Sequence, residues 1–167
     1  LFTFMYWAMG NGLAAEEWPR PGGDLITGGS PRYNIYRTKD DKFLAAAPLE
    51  QKFWENFCEL LDVPENLRDD SLQPAATKEA VAKRVRARTE SELHTLIAGK
   101  DVCCSLMASV EEALRDPHFA ARGVFNHKLN DSGRSITALP VPVVNAFRSV
   151  RLEAGYPALG EANPLLG

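Results

Sequence analysis

Few side chains in this sequence have the type and setting to do chemistry. The foremost is Glu50, a lone carboxylate in Ala47-Pro48-Leu49-Glu50-Gln51-Lys52-Phe53, at the joint between a strand pattern and a helix pattern. A carboxylate in the first turn of a helix is favoured by the positive end of the macrodipole. On the residues alone, that structural role outweighs a chemical one. Gly28 and Gly29 come next. Glycines take positive φ freely and let a backbone approach a ligand closely, although the same pair would serve as a plain linker into a strand. Tyr33, Tyr36 and Arg32 lie just beyond. Strand alternation sets Tyr33 and Tyr36 on opposite faces, so one at most faces a given pocket. Arg32 carries the charge for a phosphate or a carboxylate, and equally for solvent.

Thiol and metal chemistry are poorly supplied. Cys58, Cys103 and Cys104 are few and odd in number, and two are adjacent. Reduced, inert core thiols and a cytoplasmic setting are expected. His94, His118 and His127 are scattered without ligand spacing, so no metal site is expected. The basic run from Lys78 to Arg88 lacks interleaved aromatics and reads as a solvated helix face.

The elements that must position these residues come from a chain of 167 residues, 45% hydrophobic and 25% charged, enough for one cored domain. A net charge of -3 offers no field for nucleic acid or an anionic membrane, so neither is expected as a partner. The apolar opening from Leu1 to Ala8 is far shorter than the roughly 20 residues a span requires. Because the chain opens inside an apolar, aromatic run, the expectation is a piece of a longer protein.

Leu1 to Leu13 reads as a helix end stopped by Gly10-Asn11-Gly12, and Glu16 to Gly29 as loop. Tyr33 to Thr38 and Phe43 to Ala47 alternate as a hairpin around Lys39 to Lys42. Pro48 is expected to open a helix whose stripe is Phe53, Trp54, Phe57, Leu60 and Leu61. A loop from Leu67 to Pro74 leads to a helix from Thr77 to Arg88, with Val81 and Val85 on one face. Thr89-Glu90-Ser91-Glu92 and Ser109-Val110-Glu111-Glu112 have capping-box spacing, each opening a helix. Gly99 stops the first of these, and Val102 to Met107 reads as a buried strand. Asp116-Pro117 opens one more turn, closed by Gly123. Val124 to Leu129 and Ser135 to Leu139 flank Asp131-Ser132-Gly133 as a second hairpin. Pro140 and Pro142 favour an extended path, and the Pro- and Gly-rich chain from Val150 reads as a tail. The fold class is α+β.

Three stretches in order carry a family resemblance. They are GGSPRYNIYRTKDDKFLAAAPLEQKFWENFCELL (Gly28 to Leu61), AGKDVCCSLMASVEEALRDPHFAARGVF (Ala98 to Phe125) and LPVPV (Leu139 to Val143), with PALGEAN (Pro157 to Asn163) a weaker fourth. Together they resemble the class III CoA-transferase family, which includes formyl-CoA and carnitine CoA-transferases and α-methylacyl-CoA racemases. The resemblance implies the small α+β domain of such a fold, with hairpins and flanking helices and without the N-terminal nucleotide-fold domain. It divides the chain into 1-27, a connecting helix and linker; 28-143, the small domain; and 144-167, a C-terminal return segment.

The resemblance also implies chemistry. No cofactor is bound; a coenzyme A thioester is the substrate, with carboxylic acids as the other partners and an interlocked homodimer as the assembly. The transferase nucleophile, an aspartate, lies upstream of these residues. Gly28 and Gly29 resemble the glycine loop that covers the reactive carbonyl, where backbone N–H groups meet a thioester and exclude water; Tyr33 stands beside that loop. In the racemase branch, the carboxylate matching Glu50 pairs with a catalytic histidine, raising its pKa and fixing its tautomer for proton exchange at an α-carbon. The sequence departs from the family pattern at Asp41, where glycine is usual in the hairpin turn, at Leu106, often proline, and at Ala162, usually histidine. The transferase reading stands first, racemisation second and a non-catalytic binding or dimerisation module third.

Overall fold

The computed structural model describes residues 5–140, 143, 144, 147 and 153–166. The first four residues of the expected opening helix, and Val141 and Pro142 of the LPVPV stretch, lie outside them. The chain forms two compact units, one up to Met107 and one from Ala108.

The first unit holds helix α1 (Tyr6–Ala15), a wide turn (Leu25–Gly29), strands β1 (Asn34–Arg37) and β2 (Phe43–Ala46), helices α2 (Gln51–Leu60), α3 (Pro74–Arg86) and α4 (Glu90–Ile97), and strand β3 (Cys104–Leu106). The sheet has the order β1-β2-β3, antiparallel throughout, with Tyr36 opposite Leu44 and Leu44 opposite Leu106. Its inner face buries Tyr36, Leu44 and Ala46. Against that face pack Trp54, Phe57, Cys58 and Leu61 from α2 and its cap, Val81 and Val85 from α3, and Leu93 from α4. Each large apolar side chain buried here stabilises the unit by about 1.5–3 kcal/mol. The predicted stripe on α2 is therefore its core face, with Phe53 and Leu60 at the half-buried margins.

The first hairpin turn works without glycine. Asp41 takes φ 62°, and the Thr38 hydroxyl both accepts from Lys42 N–H at 2.9 Å and donates to Asp40 at 2.6 Å. The two aspartates also reach beyond the turn. Asp40 accepts the N–H of Glu90, and Asp41 pairs with Arg86 at 2.9 Å. The capping box at Thr89 forms as its spacing predicts, with Glu92 Oε2 accepting Thr89 N–H at 2.7 Å.

In the first unit four expectations are corrected. Helix α1 runs through Gly10-Asn11-Gly12 and turns at Glu16, φ 60°. Gly12 is buried there under the Trp18 ring, which a Cβ would strike, so close packing and not helix breaking explains that glycine. Pro48 does not open α2. Leu49 N–H closes a tight turn onto Ala47 O at 2.8 Å, and the helix starts at Gln51. The expected buried strand shrinks to Cys104–Leu106, a half-buried edge strand. Within the loop from Glu16 to Gly29, Leu25–Gly29 forms an ordered turn.

The second unit holds helices α5 (Val110–Leu114) and α6 (Pro117–Ala121) and strands β4 (Lys128–Asp131), β5 (Arg134–Thr137) and β6 (Glu153–Gly155). Ser109 and Asp116 cap the two helices as their sequences predict. Strands β4 and β5 form the expected hairpin around Ser132 (φ 46°) and Gly133 (φ 83°). The reading of the chain beyond Val150 as a tail is corrected: β6 lies parallel to β4, Leu129 opposite Ala154, which requires a crossover and not a turn. Among the described residues, no side chain of this unit is fully buried.

Candidate functional site

The first unit carries an open cleft of about 540 Å³ on the outer face of its sheet, lined by Ile26, Thr27, Gly28, Tyr33, Asn34, Ile35 and Ala45 to Ala47. The register explains the hollow. Ile35 stands opposite Ala45, so a large side chain on β1 faces a small one on β2. Tyr33 and Ile35 are exposed on this side, while Tyr36 points into the core, its hydroxyl donating to Pro31 O at 2.7 Å. Burial raises the Tyr36 phenol far above its ordinary pKa, helped by Cys58 and Asp70, so it remains neutral.

The glycine loop forms one rim. Gly28 has φ 99°, outside the range an L side chain adopts easily. Its carbonyl accepts from Asn34 Nδ2 at 2.9 Å and from Lys78 Nζ at 3.2 Å. The N–H of the same peptide, that of Gly29, donates to Asp24 O at 2.9 Å. Both ends of the Gly28–Gly29 peptide are thus fixed by the protein, and in this conformation the Gly29 N–H is committed within the loop. Gly29 itself packs on the backbone of Gly23 and Asp24.

Glu50 stands apart from the cleft lining, three residues beyond Ala47. It is the N-cap of α2, with φ −72° and ψ 143°, yet its side chain makes no capping bond. Its carbonyl accepts from Trp54 N–H at 3.0 Å, so the backbone starts the helix while the exposed carboxylate is left over. The structure therefore brings Gly28 and Tyr33 together in the cleft lining, leaves Gly29 outside it against Gly23 and Asp24, and sets Glu50 at the following helix start.

Arg32 is half-buried, beside a second open cleft that it lines with Gln51, Trp54 and Asp70. Its guanidinium holds Asp70 with two bonds from Nε at 3.0 Å and one from Nη2 at 2.7 Å. It also donates to Leu49 O at 3.2 Å and to Gln51 Oε1 at 2.9 Å, and lies over the Trp54 ring, 5.1 Å from its centroid. The residues that sequence reading missed are Asn34, Lys78, Asp70 and the small side chains Ala45 and Ala47. Alternation carries a signal for the alanines, which share a face and leave room on it. No spacing rule links Arg32 to Asp70 or Lys78 to Gly28.

None of the three cysteines lines the cleft. Burial pushes the Cys58 thiol up to about 12 and the Cys104 thiol up to about 11. Among the described residues, no group of three His, Cys, Asp or Glu is placed to hold a metal ion, and no helix is long and apolar enough to cross a membrane.

The CoA-transferase family III model matches residues 1–163. The chain is 32% identical over 88 residues to a CaiB/baiF CoA-transferase family protein of Caenorhabditis elegans, covering 53% of this chain and 25% of the relative. It is 25% identical to the alpha-methylacyl-CoA racemase of Mus musculus (86% of this chain, 38% of the relative). The Homo sapiens racemase is 26% identical (89% and 39%). The chain thus spans about a quarter to two fifths of the length of these relatives. Among solved structures, Rv3272 from Mycobacterium tuberculosis superposes with a TM-score of 0.67 at 17% identity, over 98% of this chain and 44% of that one. That likeness speaks to the fold. With the family match running across nearly every residue, the chain belongs to CoA-transferase family III.

Proposed function

We propose that this chain is the small-domain part of an enzyme that moves coenzyme A between carboxylic acids, and that the cleft on the outer sheet face receives the acyl group. The carrying observation is the lining itself. Ile26, Ile35, Ala45, Ala46 and Ala47 are apolar, and Tyr33, Thr27 and Asn34 provide polar atoms at the edge. Such a surface suits an acyl chain and offers no carboxylate or thiol for attack. The nucleophile in this reading is an aspartate outside these 167 residues. Its carboxylate attacks the thioester carbonyl and expels the CoA thiolate, leaving a mixed anhydride. The thiolate then attacks the enzyme's own carbonyl in that anhydride, releasing the first acid and forming an enzyme–CoA thioester. The second acid repeats the sequence in reverse. An interlocked homodimer and a cytoplasmic setting belong to the same reading.

A second reading, racemisation of a 2-methylacyl-CoA, draws on Glu50. A helix N-cap carboxylate that makes no cap bond is free to hold another group, and the two racemases match over 86% and 89% of this chain. Here Glu50 would orient an imidazole supplied from elsewhere in the protein.

One pair of assays separates them. The protein at its full natural length is given a 2-methylacyl-CoA in deuterium oxide, and separately an acyl-CoA with a second acid. CoA movement without α-deuteration supports transfer. Deuterium at the α-carbon without CoA movement transfers the assignment to racemisation. Neither activity overturns the acyl-CoA reading, and turnover by these 167 residues alone overturns the external nucleophile.

A further inference from the structure

Glu50 lies between two residues that a single side chain grips. Arg32 donates to the carbonyl of Leu49 on one side of it and to the side chain of Gln51 on the other, at 3.2 and 2.9 Å. The Glu50 carboxylate takes no part in capping, and the backbone on either side of it fixes the point and the Cα–Cβ direction from which it leaves the helix. Arg32 is in turn oriented from two sides, by the forked pair with Asp70 and by the Trp54 ring beneath it. The side chains of Arg32 and Asp70 are only 17% and 14% exposed, so solvent does little to loosen the pair.

We infer that Arg32, held by Asp70, is the positioning residue for Glu50, fixing how the start of α2 presents that carboxylate to a base. This rests on the second reading above, in which Glu50 supports proton exchange. The planar guanidinium uses three of its nitrogens on three different partners at once. A lysine ammonium keeps the charge but has no such fork, so it cannot hold Leu49, Gln51 and Asp70 in one plane.

The test is a double-mutant cycle in the full-length protein, read by α-proton exchange across pH. Glu50→Gln lowers kcat and moves the acidic limb of the pH profile, because the base loses the carboxylate that raised its pKa. Arg32→Lys lowers kcat roughly 10-fold with KM little changed, and shifts the limb the same way. The double variant is no slower than Glu50→Gln alone. Gln51→Ala, at an exposed position, gives a smaller effect in the same direction without loss of stability, and it carries the test should Arg32→Lys fail to fold. Multiplicative losses, or an Arg32→Lys protein that melts earlier with an unchanged pH profile, overturn the positioning role and leave Glu50 standing. An unchanged profile in Glu50→Gln removes the Glu50 reading itself, and this inference falls with it.

Discussion

Asp40, at the tip of the first hairpin, accepts the backbone N–H of Glu90, fifty positions further along, at 3.0 Å. A turn carboxylate therefore does the work of a helix cap, tying β1 and β2 to the start of α4. Thr89 caps the same helix from within, so two side chains from distant parts of the chain satisfy its first N–H groups.

Stability should fall in acid through these bonds. The Thr38 hydroxyl, with the Glu90 N–H, holds Asp40 below the usual carboxylate range. Ser71 does the same for Asp69, and the Thr89 backbone and hydroxyl for Glu92. With folded pKa values below unfolded ones, the folded state binds fewer protons. The contribution is present above about pH 4 and is lost as pH falls through the folded values. Urea unfolding midpoints measured from pH 7 down to pH 3 should decline, and Asp40→Asn should flatten part of that decline. A parental slope in the variant would mean that Asp40 contributes nothing.

Two glycines should respond in opposite directions to alanine. A Cβ on Gly29 would overlap the carbonyl of Gly23, backbone that cannot swing aside, so Gly29→Ala should destabilise by about 1–3 kcal/mol. Gly10 lies within α1, and a methyl added there would have nothing within 4 Å. Gly10→Ala should stabilise by roughly 0.5–1 kcal/mol. Equilibrium unfolding of both variants checks the pair, and equal effects would refute the packing account.

Thiol labelling should separate folded from unfolded protein cleanly. Cys58 is buried and its thiol is pushed up to about 12. Only the thiolate attacks a disulfide reagent, so Cys58 should stay unlabelled at pH 8 until denaturant is added. Rapid labelling of Cys58 in native protein, located by peptide mapping, would contradict this.

The elements legible in the sequence are those set by neighbours a few residues apart. The stripe through Trp54 and Phe57, the capping pairs Thr89 with Glu92 and Ser109 with Glu112, and the turn at Ser132-Gly133 all depend on local spacing. What escaped depends on distant contacts. Gly12 reads as a breaker until Trp18 is seen to cover it, and β6 has too little pattern of its own to be read before β4 is placed beside it. The candidate site follows the same division. Alternation sets Tyr33 and Ile35 on one face, but the fixing of Gly28 by Lys78 and of Arg32 by Asp70 spans 50 and 38 positions. Local rules reached Glu50 as a residue at a helix start. They placed that start three residues early, because the tight turn at Pro48 delays it.

The position of β3 in the sheet bears on how the protein is made. Leu44 pairs with Leu106, and α2, α3 and α4 are all translated between them. The β1–β2 hairpin closes from near neighbours, but its second edge stays open until that late strand arrives. During this interval a nascent chain offers a row of unpaired N–H and C=O groups beside the exposed Ile35 and Phe43, a surface on which two growing copies can join. The period of greatest aggregation risk is therefore set by the synthesis and docking time of three helices, and slower translation across residues 51 to 103 prolongs it.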